Sequence, residues 1–180
     1  GYYCYRTKTS TVLSIEDIRK ANECVSKSID ALKLVNTTAH VELYNTAEGW
    51  KIVEVGPRIG GNRQRLYGEA YGINHFYNDL LVHYGKTPDI QLKFHRFAGG
   101  FNIYADSEGI VTKIKGFKDA RNLPSVVRLD LNTKVGSESV FASKGGAFLA
   151  DGIFSNDDEQ TLEEDISKMR KLLTFEVEPN

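Results

Sequence analysis

Apolar side chains recur at Ile18, Ala21, Val25, Ile29 and Leu32, steps of three and four that predict an amphipathic helix over residues 15–34. Ser14, three positions before Asp17, resembles a capping box at its start, and Arg19, Lys20, Glu23 and Lys27 take the polar face. The period then changes to two. Ala39 to Tyr44 and Trp50 to Val55 alternate on either side of Thr46-Ala47-Glu48-Gly49, which predicts a β-hairpin. Pro57 to Asn62 reads as a loop, and Ile73, Phe76, Tyr77, Leu80, Leu81 and Tyr84 as a buried helix closed by Gly85 and Pro88. Tyr67, Tyr71, Phe76, Tyr77 and Tyr84 read as core aromatics.

Beyond Pro88 the pattern becomes short and alternating. It predicts strands over residues 92–97, 101–105, 110–115, 126–131 and 146–153, with Gly99-Gly100 and Gly145-Gly146 assigned to turns or bulges. Leu162, Ile166, Met169 and Leu173 mark a helix, preceded by the acidic run Asp157-Asp158-Glu159 that suits a helix start, and Phe175 to Glu178 a last strand. The organisation expected is α+β, with residues 1–88 as one domain and residues 89–180 as a β-rich domain carrying a terminal helix.

Composition narrows the function classes. The 180 residues are 41% hydrophobic and 26% charged, which fits a globular chain and excludes disordered and fibrous classes. Twenty-three basic side chains against twenty-four acidic ones give no broad field for nucleic acid or an anionic membrane, so any phosphate contact must be local. Cys4 and Cys24 form no metal spacing and predict free thiols, and His40, His75, His83 and His95 add no ligand pattern to them. No apolar run approaches the roughly 18 residues of a membrane span, and no signal peptide is evident, so a soluble, cytoplasmic protein is expected. The chain opens on Gly1-Tyr2-Tyr3-Cys4-Tyr5 without an initiator methionine and reads as part of a longer protein.

Candidate chemistry sits in the hairpin. His40, Glu42 and Tyr44 share one strand face, and Glu54 falls on one face with Trp50 and Ile52. With Ala47-Glu48-Gly49 as a three-residue loop, Thr46 pairs with Trp50 and Glu42 lies opposite Glu54. Like charges in that relation are destabilising by up to about 1 kcal/mol, and a divalent cation would relieve them. Magnesium is commonly held by one or two carboxylates and completed by the phosphates of a nucleotide. Arg58, four residues past Glu54, is placed to meet an anion there. Gly60-Gly61-Asn62-Arg63-Gln64-Arg65 could cradle phosphate through its backbone N–H groups and its two arginines, or be a solvated turn. Two glutamates on a hairpin are more often solvated surface residues, so spacing alone leaves both readings open.

The runs Ala39-His40-Val41-Glu42-Leu43 and Ile52-Val53-Glu54-Val55-Gly56-Pro57-Arg58-Ile59-Gly60-Gly61 resemble the signature near the end of ATP-grasp domains, such as those of biotin carboxylase, carbamoyl-phosphate synthetase and the L-amino-acid ligases. The helix before the hairpin and Gly72-Ile73-Asn74 after it match as well, so the resemblance covers about residues 10–90. It implies that residues 1–88 are the C-terminal part of an ATP-grasp fold and that 89–180 are the β-rich domain that follows it. It implies that Glu42 and Glu54 hold magnesium (or manganese) bridging the phosphates of ATP, and that Arg58 stabilises the transferred phosphoryl or an acyl phosphate. Gly60, Gly61, Asn62, Arg63 and Arg65 would contact the nucleotide. Gly56 departs from the pattern, since many members have asparagine there.

The activity implied is joining of a small-molecule carboxylate to an amine through an acyl phosphate, with release of ADP and phosphate. The glycine-rich lid and the adenine pocket would belong to an N-terminal half of the same protein, so this chain alone is expected to be inactive; a homodimer is compatible with the family. A carboxylation enzyme of the biotin-carboxylase or carbamoyl-phosphate kind is one alternative. A catalytically silent relative used for binding or regulation is another.

Overall fold

In the computed structural model the described residues are 4–8, 13–91 and 93–179, so the expected strand character of Tyr2 and Tyr3, and the strand start at Leu92, lie outside them. The chain divides into two compact units, Ser10–Lys93 and a second that joins Phe94–Asn180 to Gly1–Thr9.

The unit of residues 10–93 begins with α1 (Ile15–Ala31), capped by Ser14, whose hydroxyl accepts from the Asp17 N–H at 3.1 Å. The helix stops at Ala31, three residues short of the expected end at residue 34. Lys33 takes a φ of +53°, its N–H donates to the Asp30 carbonyl, and the Leu34 N–H donates to the Ile29 carbonyl. That is a Schellman stop built on lysine where glycine is usual, which is why the sequence conceals it.

The hairpin pairs β2 (His40–Thr46) with β3 (Gly49–Gly56) in antiparallel register. Its loop is shorter than expected: Thr46 pairs with Gly49, leaving two turn residues, and Gly49 adopts a φ of +101° that only glycine takes readily. Two short helices follow, α2 (Arg63–Tyr71) and α3 (His75–His83). The sequence signalled α3 through the apolar spacing from Ile73 to Tyr84, and Asn74 caps it by accepting from the Tyr77 N–H at 3.0 Å. It did not signal α2, because in Arg63–Tyr71 only Leu66 and Ala70 are buried and no apolar stripe exists to be seen.

Residues 73–84 were expected to form a buried helix; the helix is present as α3, but its burial is overturned. Phe76, Tyr77 and Leu80 are 59%, 56% and 58% exposed and Tyr84 is 79% exposed, while Asn78 is the buried position of α3. Tyr67 and Tyr71 are half-buried. Among the described residues of this unit the fully buried apolar side chains are Leu66 and Ala70, so these aromatics have no core to enter.

The second unit holds a four-stranded antiparallel sheet, β1 (Cys4–Lys8), β4 (Phe97–Ile103), β8 (Ala150–Asn156) and β6 (Val126–Leu131), in that spatial order. A three-stranded sheet sets β5 (Gly109–Lys115) between β7 (Glu138–Ser139) and β9 (Thr174–Glu178). The helices are α4 (Phe117–Arg121) and α5 (Glu159–Leu172). Phe101, Leu129, Phe154, Leu162, Ile166 and Met169 form the centre of a closed core, with the Phe101 and Phe154 rings 5.2 Å apart. This is the α+β class expected from the sequence.

One strand, β4, stands where two were expected. Gly99 and Gly100 are not a turn: they lie mid-strand, buried, paired with Phe154 and Ile153 on one side and with Lys8 and Thr7 on the other. Small residues opposite large ones fill such a strand without overcrowding. Helix α5 is capped by Asp158, which accepts from the Thr161 hydroxyl and N–H at 2.7 Å each. Those bonds hold its carboxyl below the usual carboxylate range. The acidic run is therefore a cap in addition to a charge on the helix dipole.

Asp165 ties α5 to the loop before β6. It is 2% exposed, and its carboxylate accepts from the Ser125 hydroxyl at 2.7 Å and the Ser125 N–H at 3.0 Å. Asp165→Ala leaves two buried donors without an acceptor and should cost about 2 kcal/mol. Thermal unfolding followed by near-ultraviolet circular dichroism checks this; a melting temperature unchanged within error rejects the tie as a stabilising one.

Candidate functional site

Strand pairing brings the two glutamates together by a route the alternation pattern does not contain. From the turn, Asn45 pairs with Trp50, Tyr44 with Lys51 and Leu43 with Ile52; a bulge then intervenes, and Glu42 pairs with Glu54, Val41 with Val55 and His40 with Gly56. The two-residue turn alone would set Glu42 against Val53. The extra residue restores the opposition that a three-residue loop had been expected to produce. It also moves Glu54 off the face it was expected to share with Trp50 and Ile52. Those two go with Leu43, while Glu54 goes with Glu42. Strand β3 packs against α1, and the Cys24 thiol, which is free, donates to the Trp50 carbonyl at 3.6 Å.

Both carboxylates are half-exposed and each already has a cationic or polar neighbour. Glu42 Oε1 lies 3.2 Å from His40 Nε2, and Glu54 Oε1 accepts from Arg58 Nη2 at 3.2 Å. Their side chains are 47% and 53% exposed, so each contact contributes little to stability on its own. The Arg58 N–H donates to the Gly56 carbonyl at 2.8 Å, a tight turn that folds the guanidinium back toward the strand end. A Cβ at Gly56 would stand 3.4 Å from both Arg58 Nε and Glu54 Oε1, ordinary contact distance. A Cβ there meets no clash and would stand beside the carboxylate.

Gly60 is required for a different reason. A Cβ on it would fall 2.4 Å from His40 Nδ1 and 2.9 Å from two ring carbons, so the loop lies directly on the imidazole. Gly61 is exposed, with nothing near its missing side chain. Asn62 precedes α2 without a side-chain cap bond, and Arg63, Gln64 and Arg65 stand in the first turn of that helix. The continuous loop expected over residues 60–65 is thus a short loop feeding a helix N-terminus. The structure gathers Glu42, Glu54, Arg58, Gly60 and His40 into one linked group and places Arg63 and Arg65 on the helix beyond it. His40 had been singled out in the sequence only for sharing a strand face with Glu42.

Among the described residues no group of three or more His, Cys, Asp or Glu side chains is set to hold a metal ion. The donor set is two hard-oxygen ligands on an exposed face. That fits an ion such as magnesium, whose remaining positions are taken by water and phosphate, and does not fit a metal caged by protein.

Comparison with known proteins shows what the chain is similar to. Residues 102–178 match the family model for L-amino acid ligase C-terminal domain 2. The fold is similar to that of an L-amino acid ligase from Bacillus licheniformis, at a TM-score of 0.84 and 19% identity, covering 96% of this chain and 44% of that one. It is also similar to phosphoribosylglycinamide synthetase from Anaerococcus prevotii (TM-score 0.76, 16% identity, 96% and 45% covered). N5-carboxyaminoimidazole ribonucleotide synthetase from Thermotoga maritima is a third (TM-score 0.72, 15% identity, 96% and 46% covered). In sequence, an uncharacterized protein of Sinorhizobium fredii, y4rH, is 25% identical over 129 residues, 71% of this chain and 27% of that protein. The chain spans under half the length of each of these proteins.

The contact between Gly60 and His40 is open to direct test. Gly60→Ala should lower stability by about 1–3 kcal/mol through overpacking. A Gly60→Ala, His40→Ala double variant should recover most of that loss relative to His40→Ala alone, read by thermal denaturation as a double-mutant cycle. Additive effects would mean that the two residues do not touch.

Proposed function

We propose, from a chain that has the fold of the C-terminal part of ATP-grasp ligases, that it supplies the phosphate-side half of an ATP-dependent carboxylate–amine ligase. The observation that carries this reading is the opposition of Glu42 and Glu54 with Arg58 folded onto Glu54. A register that sets two carboxylates face to face on an exposed hairpin gains nothing structurally. Its use is to bind a cation.

In this reading Glu42 and Glu54 hold magnesium, which when bound neutralises phosphate oxygens of ATP. Arg58 exchanges its bond to Glu54 for an oxygen of the transferring phosphoryl group, where its fixed charge is worth most in the transition state. The substrate carboxylate attacks the terminal phosphorus and ADP leaves; an amine then attacks the acyl phosphate, phosphate leaves, and the amine loses its proton. Backbone N–H groups from Gly60 to the start of α2, with Arg63 and Arg65, supply further positive potential for the phosphates. His40 orients Glu42 and is itself held in place by Gly60.

The nucleotide base and the acid substrate would be bound by an N-terminal half of the same protein. Support comes from the apolar side chains left uncovered in residues 10–93, including Ile15 at 88%, Val35 at 79% and Tyr84 at 79% exposure. A cytoplasmic location accords with the free Cys24; among the described residues no helix is long and apolar enough to cross a membrane. One observation favours a second reading, a silent relative that binds without catalysis: His40 and Arg58 already attend the two carboxylates, so the pair does not require a metal to be tolerated.

Thermal unfolding of this chain and of a Glu42→Gln, Glu54→Gln variant, each with and without magnesium and ADP, separates the two. Ligand at about one hundred times its dissociation constant adds roughly 2.7 kcal/mol. A stabilisation that needs both magnesium and ADP and vanishes in the variant is the expected result. A stabilisation by ADP that is indifferent to magnesium and to the substitutions would overturn the metal assignment and leave the binding reading.

A further inference from the structure

A single side chain joins the carboxylate pair to the loop that follows it. His40 Nε2 lies 3.2 Å from Glu42 Oε1. An ionised carboxylate only accepts hydrogen bonds, so this nitrogen carries the ring proton. The Nδ1 side of the same ring meets Gly60, where a Cβ would stand 2.4 Å from Nδ1 and 2.9 Å from Cγ and Cε1. The Gly60 carbonyl in turn accepts from the Arg63 N–H at 3.0 Å, at the first residue of α2. Glu42, His40, Gly60 and Arg63 are therefore successive members of one chain of contacts. It runs from the carboxylate pair to the helix N-terminus on which the nucleotide phosphates are proposed to rest.

The two ends of the imidazole are unequal. On one side is backbone, itself tied to α2; on the other is a glutamate with three side-chain torsions. The His40 side chain is 16% exposed and that of Glu42 47%. Ordering a long, solvated side chain costs conformational entropy, and a ring already wedged in place lowers that cost for its partner. The direction of control thus runs from the loop through the ring to the carboxylate. The bond is single and its acceptor half-exposed, so it biases Glu42 without locking it.

We propose that His40 is a positioning residue that transmits the place of the Gly60 loop to Glu42, so that the loop backbone sets how tightly the carboxylate pair takes a divalent ion. The identity of that ligand rests on the ligase reading; the linkage rests on the contacts above. A carboxylate tied through one oxygen can still ligate through the other, and groups that hydrogen-bond a ligating side chain commonly change metal affinity by about 10–100-fold. One consequence is specific to this arrangement. Gly60 offers no side chain to an ion, yet Gly60→Ala should weaken its binding, because the added Cβ forces the imidazole away from Glu42.

Mn2+ titrated into this chain without nucleotide, with the free ion followed by electron paramagnetic resonance, reads the carboxylate pair alone. His40→Ala should weaken binding about tenfold, the lower end expected for a half-exposed ligand. His40→Gln, whose amide nitrogen falls near the place of Nε2, should recover most of that loss; His40→Asn, which reaches only the place of Nδ1, should not. Gly60→Ala should weaken Mn2+ about as much as His40→Ala and add little to it in the double variant. The Glu42→Gln, Glu54→Gln variant separates the two levels of the argument. No saturable binding by the parent chain, or binding that this variant retains, overturns the metal assignment and the linkage with it. Binding that needs the two glutamates but is unchanged in His40→Ala, is recovered equally by Gln and Asn, or is lost additively in the Gly60 and His40 variants overturns the linkage alone. Should Gly60→Ala fail to fold, the comparison of Gln with Asn at position 40 still decides.

Discussion

The pairing of β2 with β3 decides which side chains meet at the candidate site. A two-residue turn and a bulge act in opposition: the turn shortens the loop by one residue relative to expectation, and the bulge adds one back between Glu42 and Leu43 on the pairing scale. Without the bulge, Glu42 would oppose Val53 and Glu54 would pass to the other face, because a slip of one residue inverts every side chain beyond it. The half-exposed carboxylate face and the more protected face of Leu43, Trp50 and Ile52 both follow from that one extra residue. So does the position of Arg58, whose reach to Glu54 depends on where the strand ends. Bulges are common next to functional sites because they aim side chains that regular alternation cannot.

The two units put their apolar residues to different uses. Residues 94–179 bury Phe101, Leu129, Phe154 and Met169 at 1% exposure or less, and hold the periphery with Asp165 on Ser125. That is the ledger of a self-sufficient core. Residues 10–93 place Phe76, Tyr77 and Leu80 more than half in solvent and bury no side chain of α1. Their apolar content is comparable in sequence and different in fate. The hydrophobic pattern records which face of an element is made for burial; it does not record whether the surface that buries it lies within the same unit.

This distinction explains what could be read from the sequence and what could not. Strand β6 falls on residues 126–131 as its alternation indicates, and α5 and β9 lie within a few residues of their expected bounds, since each has a partner inside its own unit. The helical spacing of Phe76 and Tyr84 predicts burial, but within residues 10–93 there is no core to receive them and they stay exposed. Helix α2 escaped notice for the opposite reason, being polar along most of its length. Gly99 and Gly100 resembled punctuation, yet they serve as small partners to Phe154 and Ile153 in a central strand. At the candidate site, Glu42, Glu54 and Arg58 stood out by residue type, and Gly60 by its neighbours. The contact of Gly60 with His40 was invisible, as it joins residues twenty positions apart through a missing Cβ.

If Glu42 and Glu54 served only as solvated surface groups, regular alternation without a bulge would have kept them apart at no cost. Instead the backbone sets them opposite and then provides each with a neighbour that can be given up: a histidine whose charge depends on protonation, and an arginine in a half-exposed pair worth a fraction of a kcal/mol. These partners orient the carboxylates and leave both side chains about half exposed. A strong buried partner, of the kind Asp151 has in Arg128 and Asn132, would lock them and preclude exchange. The chain is able to build such a locked carboxylate and does so in its other unit. Glu42 and Glu54 have only the half-exposed contacts to His40 and Arg58, which leaves them free to exchange partners as the proposed cation site requires.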